Sequence, residues 1–532
     1  MPTLSPLEVY RLKWKPTLPT ILNNFEFLTA SSDSSFVNTQ SSELKSLFPQ
    51  TFDQPILTFK HGSVKLASDP LRVAVVFSGG QAPGGHNVIS GLFDSLQKLN
   101  PLNVLIGFCN GPEGIIKNKS IVINESIVNR YRNQGGFDMI GSGRTKIETA
   151  EQLAAAELTM RTLNLDGLVV IGGDDSNTNA AFLAEFFLKK GLKTRVIGVP
   201  KTIDGDLKNA FIGVSFGFDT ATKVYSEIIG NILKDAVSSK KYYYFIKLMG
   251  RSASHIVLEC ALRTQPNLAF IGEEVEENKQ SLQELVNQIA DMICLRAEKG
   301  KNYGAILIPE GIIEFIPEFK QMIQELNALL ANNPCELEKN LSPEASHCLK
   351  SIPESIRDQF LLDRDPHGNV QVSKIETERL FIALVEKELH QRKEAGTYKG
   401  VFSAQPLFCG YEGRSALPSH FDCQYCYALG FMSTLLILSN ATGYISCIGN
   451  LTQPVEEWTL TGVPIFNMLH MEKRGGKVKS VIRKALVDLQ DRPFIELSMK
   501  RLCWILDDDY CCPGPIQFEG PKEITDSCPL TM

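Results

Sequence analysis

Residues 194–220 read TRVIGVPKTIDGDLKNAFIGVSFGFDT, and the reading of this stretch decides the fold. Thr194 to Val199 is rich in β-branched residues. Such a run predicts a buried strand in a parallel sheet. Pro200 has no N–H to donate and is expected to end the ladder. Lys201-Thr202-Ile203-Asp204-Gly205-Asp206 then puts two carboxylates and an ammonium within six residues. Gly205 lets the backbone turn sharply or approach a ligand. In open α/β sheets, ligands bind beyond the carboxyl ends of the strands, so a loop of this kind suits proton transfer and phosphate handling. Asp-Gly is also ordinary turn chemistry, and taken alone the stretch fits a solvated turn equally well.

The flanking sequence repeats this layout. Arg72 to Phe77 reads as an apolar strand that runs into Ser78-Gly-Gly-Gln-Ala-Pro-Gly-Gly-His-Asn87. Val88, Ile89, Leu92, Phe93, Leu96 and Leu99 then share one helix face. Strand, Gly-rich loop and helix can cradle phosphate on backbone N–H groups. The loop lacks the GK[ST] ending of a P-loop and the GxGxxG fingerprint, so a generic βα turn is the plainer alternative. After a strand at Asn103–Phe108, a second Gly-rich stretch, 135–144, ends in Arg144. Helix 148–163 leads to the strand Leu165–Ile171, which ends in Gly172-Gly-Asp-Asp-Ser176. A carboxylate of that pair suits Mg²⁺, a hard cation that shares its shell with substrate phosphates. The Asp174–Asn177 turn is also placed to cap a helix at Asn179–Lys190. Tyr242–Met249 is a strand ending in Gly250-Arg251, and Ala305–Ile308 one ending in Pro309-Glu310-Gly311. Strand after strand ends in glycine plus a charged side chain, which predicts an α/β protein with one continuous active-site rim.

Residues 315–400 break the alternation. They are charged and helical in character, punctuated by Pro334, Pro343, Pro353 and Pro366, and read as an α-helical insertion. The α/β pattern resumes at Gly410-Tyr-Glu-Gly-Arg414 and the strand Tyr444–Ile448. Between them, residues 423–455 carry no charge. The apolar part, Tyr427 to Leu438, falls short of the roughly 20 residues a membrane span needs, so it is expected to be a helix buried under a sheet. Residues 1–70 read as an N-terminal extension packed on the body, with the Ser-rich Ala30–Ser42 as a loop. Residues 471–532 form a mixed C-terminal segment ending irregularly at Cys511–Pro515.

Size and composition set wide bounds. The 532 residues are 43% hydrophobic with a mean hydropathy of -0.05. That is globular composition, enough for about two to four domains. A net charge of -6 gives no bias toward nucleic acid or anionic membrane. The 13 cysteines show no disulfide-framework spacing. Cys423 and Cys426 have CxxC spacing without a second pair, so they read as core positions. A reducing, cytoplasmic setting follows from the thiols and from an N-terminus without the apolar core of a signal peptide.

Six motifs, SGGQAPGGHN, GGDDS, PKTIDGD, MGR, PEG and GYEGR, stand in this order between about Leu71 and Leu451. Together they resemble the phosphofructokinases, most of all the long diphosphate-dependent type found in bacteria and as the plant β subunit. GGD alone also occurs in NAD and lipid kinases, but MGR and GYEGR argue against those. The fold this implies is two Rossmann-like doubly wound domains with the active site between them, plus the helical insertion. The donor domain would be 71–240, and the sugar-phosphate domain 241–314 with 401–470. The implied chemistry is reversible, Mg²⁺-dependent phosphoryl transfer from diphosphate to the 1-hydroxyl of fructose 6-phosphate, giving fructose 1,6-bisphosphate and phosphate. The resemblance makes Asp204 the general base, and Lys201 and Arg251 the cations on the transferring group. It gives Mg²⁺ to Asp174 and contacts with diphosphate to Gly80 and Arg144. Thr202, Ile203, Met249, Gly250, Arg251, Glu310, Tyr411, Glu412, Gly413 and Arg414 would cradle the sugar phosphate. Lys241 and Tyr242 correspond to positions that reach into a partner's site, which implies a homodimer; by itself Lys241 reads as a solvated lysine beside Lys240. ATP-dependent relatives have glycine at the positions of Asp175 and Lys201. Asp175 would clash in volume and charge with the ATP α-phosphate, while Lys201 adds a cation for diphosphate. The competing readings are an ATP-dependent phosphofructokinase and a non-catalytic regulatory subunit like the plant α partner. The second fits poorly with the presence of Asp174, Asp204, Asp206 and Arg251.

Overall fold

The computed structural model describes residues 4–33, 42–63, 65–66, 69–332, 340–363, 370–474, 477–516 and 519–532. Its large sheet is built around Arg195–Thr202. Across it the strands run in the order Leu28–Asp33, Ile56–His61, Thr459–Pro464, Tyr444–Gly449, Arg195–Thr202, Gly167–Gly172, Arg72–Ser78, Val104–Phe108 and Ser120–Ile123. The middle strands, from Tyr444–Gly449 to Val104–Phe108, are mutually parallel, and the outer pairs are antiparallel. Because side chains alternate along a strand, each middle strand feeds two cores. Val73, Val75 and Phe77 pack toward the helices Gly85–Leu99 and His420–Leu438. Ala74 and Val76 pack toward Ala150–Thr162 and Asp174–Lys189. That double cover is why these strands read as unbroken apolar runs.

Pro200 does not end its strand. Gly172 still pairs with Pro200, and Lys201 and Thr202 pair onward with Phe216 and Gly217. On its other side the strand pairs with Tyr444–Gly449 at Ile197 and Gly198, so that ladder has stopped before the residue without an N–H. The helix expected at Asn179 starts at Asp174, with Gly173 as its N-cap. Asp174 and Asp175 therefore lie in its first turn, where the helix dipole favours carboxylates, and not in a capping turn. Ala30–Asp33, expected as loop, belongs to the outermost strand; residues 34–41 of that patch lie outside the described residues.

His420–Leu438 is the one helix among the described residues long and apolar enough to cross a membrane, and it is buried in the body. It crosses Gly85–Leu99 at backbone contact. A Cβ at Gly91 would lie 2.2 Å from the Tyr427 carbonyl oxygen, and one at Gly430 2.4 Å from that of Val88. Cys423 and Cys426 are buried core thiols in this helix.

A second, parallel sheet orders Leu268–Ala269, Gly304–Pro309, Tyr243–Leu248 and Ala404–Cys409. Pro406 interrupts the sequence pattern of the last strand, which lies at the sheet edge, where proline is tolerated. The helices Pro317–Asn332, Pro343–Ser351, Glu354–Leu362 and Thr377–Glu394 form the 315–400 region. Pro343 starts a helix and Pro353 caps one, whereas Pro334 and Pro366 lie outside the described residues. These helices share one core with the small sheet, through Phe245, Ile306, Phe319, Phe360 and Phe381. A hairpin, Leu469–Arg474 with Lys477–Ile482, precedes the helix Arg492–Trp504.

Candidate active site

Strand order reverses at Arg72–Ser78: the chain next adds Val104–Phe108 on one side, then Gly167–Gly172 and Arg195–Thr202 on the other. A crevice opens at such a switch point, beyond the carboxyl ends of the strands. The loops after these strands converge there with the ends of Tyr243–Leu248 and Gly304–Pro309.

On the wall built by the loop after Arg72–Ser78, Gly79 has a positive φ of 89° and its N–H donates to the Gly143 carbonyl at 2.9 Å. Ser142 Oγ donates to the Gly79 carbonyl at 2.7 Å, so the 135–144 stretch holds the Gly-rich loop in place. Arg144 follows on the surface. Ser176 Oγ donates to Ser78 Oγ at 2.8 Å, and Asn177 Nδ2 donates to the Gly172 and Gly173 carbonyls at 2.6 and 2.9 Å. These bonds fix the helix N-terminus that carries Asp174 and Asp175. Burial pushes the Asp174 carboxyl up, an effect Lys484 opposes and Asp206 adds to. Asp175 is half-exposed and pairs with Lys146 Nζ at 3.1 Å.

Lys201 is buried, and a Cβ on Gly79 would lie 3.2 Å from its Nζ. Burial lowers its pKa to about 8, against the pull of Asp204 and Asp174. Asp204, three residues on, is pushed up to about 6 by burial and by the charge of Asp206. Its N–H donates to Thr202 Oγ1 at 3.1 Å, and Gly205 turns the chain with φ +76°. Ile203 and Asp206 are buried beside it. A carboxyl near 6 and an ammonium near 8 in one site are suited to accept a proton and keep a positive charge at neutral pH.

On the opposite wall, the Met249 N–H donates to the Cys409 carbonyl at 3.2 Å, and the Glu310 N–H to that of Leu248 at 2.9 Å. Glu310 is pushed up to about 7, by burial first and by Asp204 second. Gly250 places Arg251 at the rim, where its charge acts on both Asp204 and Glu310. Tyr411–Arg414 is a single helical turn. Gly413 lies on the buried Tyr225 ring, whose hydroxyl donates to the Gly410 carbonyl at 2.5 Å. Glu412 accepts the Gly410 N–H at 2.8 Å. Tyr411 is exposed beneath the Arg414 guanidinium, 5.2 Å from its ring centre. Arg414 donates to Gln81 at 2.7 Å and lies over Gly80, where a Cβ would meet Nη2 at 2.8 Å. The two residues expected on donor and sugar sides are thus neighbours.

Asp174, Lys201, Asp204, Arg251, Glu310 and Arg414 come together in one crevice. Lys241 and Tyr242 do not: they precede Tyr243–Leu248, at the end of that strand opposite Arg251. Two residues that sequence reasoning missed join the site. Lys484 Nζ stands 3.8 Å from Asp174 and 3.6 Å from Asp206, and donates to Ser252 Oγ at 2.7 Å. Neither lies in a glycine-marked strand end pointing to the site by itself, although Ser252 follows MGR directly. Among the described residues no three His, Cys, Asp or Glu side chains gather as a metal site. The oxygen donors of Asp174 and Asp206 match Mg²⁺, which takes one or two carboxylates and completes its shell with phosphate and water.

A family model described as Phosphofructokinase matches residues 72–360. Over 510 residues the chain is 53% identical to the pyrophosphate–fructose 6-phosphate 1-phosphotransferase subunit beta 1 of Arabidopsis thaliana, covering 95% of this chain and 90% of that one. It is 49% identical to the pyrophosphate–fructose 6-phosphate 1-phosphotransferase of Treponema pallidum, covering 100% and 97%. Among solved structures, the pyrophosphate-dependent phosphofructokinase of Nitrosospira multiformis aligns with a TM-score of 0.54 at 14% identity, over 82% of this chain and 93% of that one. That likeness concerns the fold.

Proposed function

Because this chain belongs to the phosphofructokinase family, we propose that it moves a phosphoryl group reversibly between diphosphate and the 1-hydroxyl of fructose 6-phosphate, giving fructose 1,6-bisphosphate and phosphate. The observation that carries the choice of donor is the burial of Lys201 against the Gly79 turn, within the charge of Asp204 and Asp174. An ammonium there meets the charge of a small polyanion, and Asp175, next to Asp174 in the first helical turn, opposes the longer phosphate chain of a nucleotide.

Asp204 takes the proton of the 1-hydroxyl as the new bond to phosphorus forms, and returns it in reverse. Its pKa of about 6 leaves it ionised at neutral pH. Lys201 and Arg251 balance the charge spread over the transferring oxygens. Thr202 and Ile203 place the sugar over Asp204, with Met249 and Gly250 forming the wall beneath it. Glu310, with a pKa of about 7, is poised to hydrogen-bond a sugar hydroxyl. Arg414, with Tyr411, Glu412 and Gly413 shaping its turn, offers a planar fork to the 6-phosphate. Gly80 and Arg144 face the diphosphate. Mg²⁺ would be held by Asp174 with Asp206 alongside, where it would neutralise diphosphate charge.

The same proposal includes a homodimer in which Lys241 and Tyr242 of a second copy complete the sugar-phosphate site. Its support is their position: six strand residues separate them from the rim, roughly 20 Å at strand spacing. Cytoplasmic location is proposed from the free thiols of the described cysteines. Steady-state assays with diphosphate and with ATP, run in both directions, test the donor. Diphosphate turnover far above ATP turnover is expected; equal use of ATP would overturn the reading. Sedimentation of the purified chain, with loss of fructose 6-phosphate affinity in Lys241→Ala, tests the dimer.

A further inference from the structure

Lys484 lies in the C-terminal segment, outside the 72–360 region matched by the family. It nevertheless enters the crevice on a backbone strap tied down at three points. The Ala485 N–H donates to the Asp206 carbonyl at 2.8 Å, the Ala485 carbonyl meets His255 Nε2 at 3.1 Å, and the Val487 N–H donates to Glu273 Oε1 at 2.9 Å. The strap therefore bridges the loop after Arg195–Thr202 and the segment after Tyr243–Leu248.

The ammonium itself is held more loosely than its backbone. Its distances of 3.8 Å to Asp174 and 3.6 Å to Asp206 exceed hydrogen-bond length. Among the described residues its one hydrogen bond is to Ser252 Oγ, the residue after Arg251. An ammonium has three N–H groups, so two remain to meet a ligand. On its other side, away from Asp174 and Asp206, Lys484 lines a cavity of about 510 Å³ with Arg251, Ser252, Glu276, Glu314 and Lys320. A cation here is not needed for local folding of the strap, which its backbone bonds supply. It is placed at the metal-side carboxylates, facing the charge that a bound polyphosphate brings.

We propose that Lys484 is a donor-binding residue: its ammonium takes a diphosphate oxygen, held in reach by Ser252, while Asp174 and Asp206 turn to Mg²⁺. This rests on the diphosphate reading above. The strap then supplies a phosphate contact from a part of the chain remote from every glycine-rich motif.

The test is calorimetric titration of the whole protein with diphosphate in Mg²⁺ buffer, without sugar phosphate, alongside steady-state kinetics. Lys484→Met is expected to weaken diphosphate binding about ten- to a hundred-fold, the scale of a lost charge-assisted hydrogen bond. KM for diphosphate should rise in parallel, with KM for fructose 6-phosphate nearly unchanged. Lys484→Arg should stay within about tenfold of wild type. Ser252→Ala, which frees the ammonium without removing it, should fall between them and serves if the Met variant fails to fold. A Lys484→Met protein that melts like wild type and binds diphosphate equally well overturns the proposal, as does an equal rise in both KM values. A wild-type chain that fails to bind diphosphate overturns the functional reading as well.

Discussion

On the proposed mechanism, forward transfer requires Asp204 ionised and Lys201 protonated, and these groups titrate near 6 and near 8. Below about pH 6 the carboxyl gains its proton and can no longer accept one. Above about pH 8 the ammonium loses the charge that faces the transferring group. With those two values the active form peaks near pH 7, where about four fifths of the free enzyme carries it, and kcat/KM falls about tenfold per pH unit on each flank. Lys201→Arg separates the flanks, because a guanidinium stays charged throughout. Its extra atoms crowd Gly79, already 3.2 Å from Nζ by its absent Cβ, so absolute rates drop. The shape of the profile is the readout. Titration of diphosphate and sugar phosphate is common to both enzymes and divides out of the variant-to-wild-type ratio. That ratio, measured at sub-saturating diphosphate from about pH 5.5 to 9.5, should be flat to about pH 8 and then climb about tenfold per unit. In the reverse direction Asp204 must enter protonated, so wild-type turnover should keep rising as pH falls through 6. A flat ratio up to pH 9.5 would refute the assignment of the alkaline flank to Lys201.

Three further perturbations probe other parts of the structure. Asp175→Gly combined with Lys201→Gly should lower diphosphate turnover by orders of magnitude and open the donor side to ATP; unchanged diphosphate rates would contradict the roles given to both residues. Gly413→Ala puts a methyl 2.5 Å from the buried Tyr225 ring. Overpacking of this kind costs about 1–3 kcal/mol, and the displaced Arg414 should raise KM for fructose 6-phosphate more than KM for diphosphate. Lys247→Met leaves buried Glu378 without the ammonium 3.3 Å away, and a broken buried pair typically costs about 3–5 kcal/mol, read as a lower urea midpoint.

The central strands were legible because they are covered on both faces, so Arg72–Ser78 and Gly167–Gly172 show as continuous apolar runs. The loops after them were legible because glycine and charge stand together where backbone must approach a ligand. Four features escaped for physical reasons. Pro200 passes through its strand because the ladder beside it has already ended. Asp174 sits inside a helix that starts on Gly173 without a side-chain cap, so no Ser or Thr marks its start. Ala404–Cys409 carries a proline that only an edge strand accommodates. Lys484 had no local signal, since Ser252, which holds it, lies 232 positions earlier in the chain. The pairing of Arg414 with Gln81 is likewise a property of the folded chain, joining residues 333 positions apart.

The N-terminal arm has a consequence for solubility. Ile56–His61 pairs with Thr459–Pro464 at Thr58 and Leu57, and Leu28–Asp33 pairs outside it. Without the arm, Thr459–Pro464 would offer a row of unpaired N–H and C=O groups, a template for any other extended chain. The arm replaces that border with LTASSD, six residues of mostly small and hydroxyl side chains ending in a carboxylate. Such a border is short and polar, and poorly suited to adding another strand. Leu28–Asp33 thus works as a selvedge on the largest sheet, finishing a margin that would otherwise stand open to other chains.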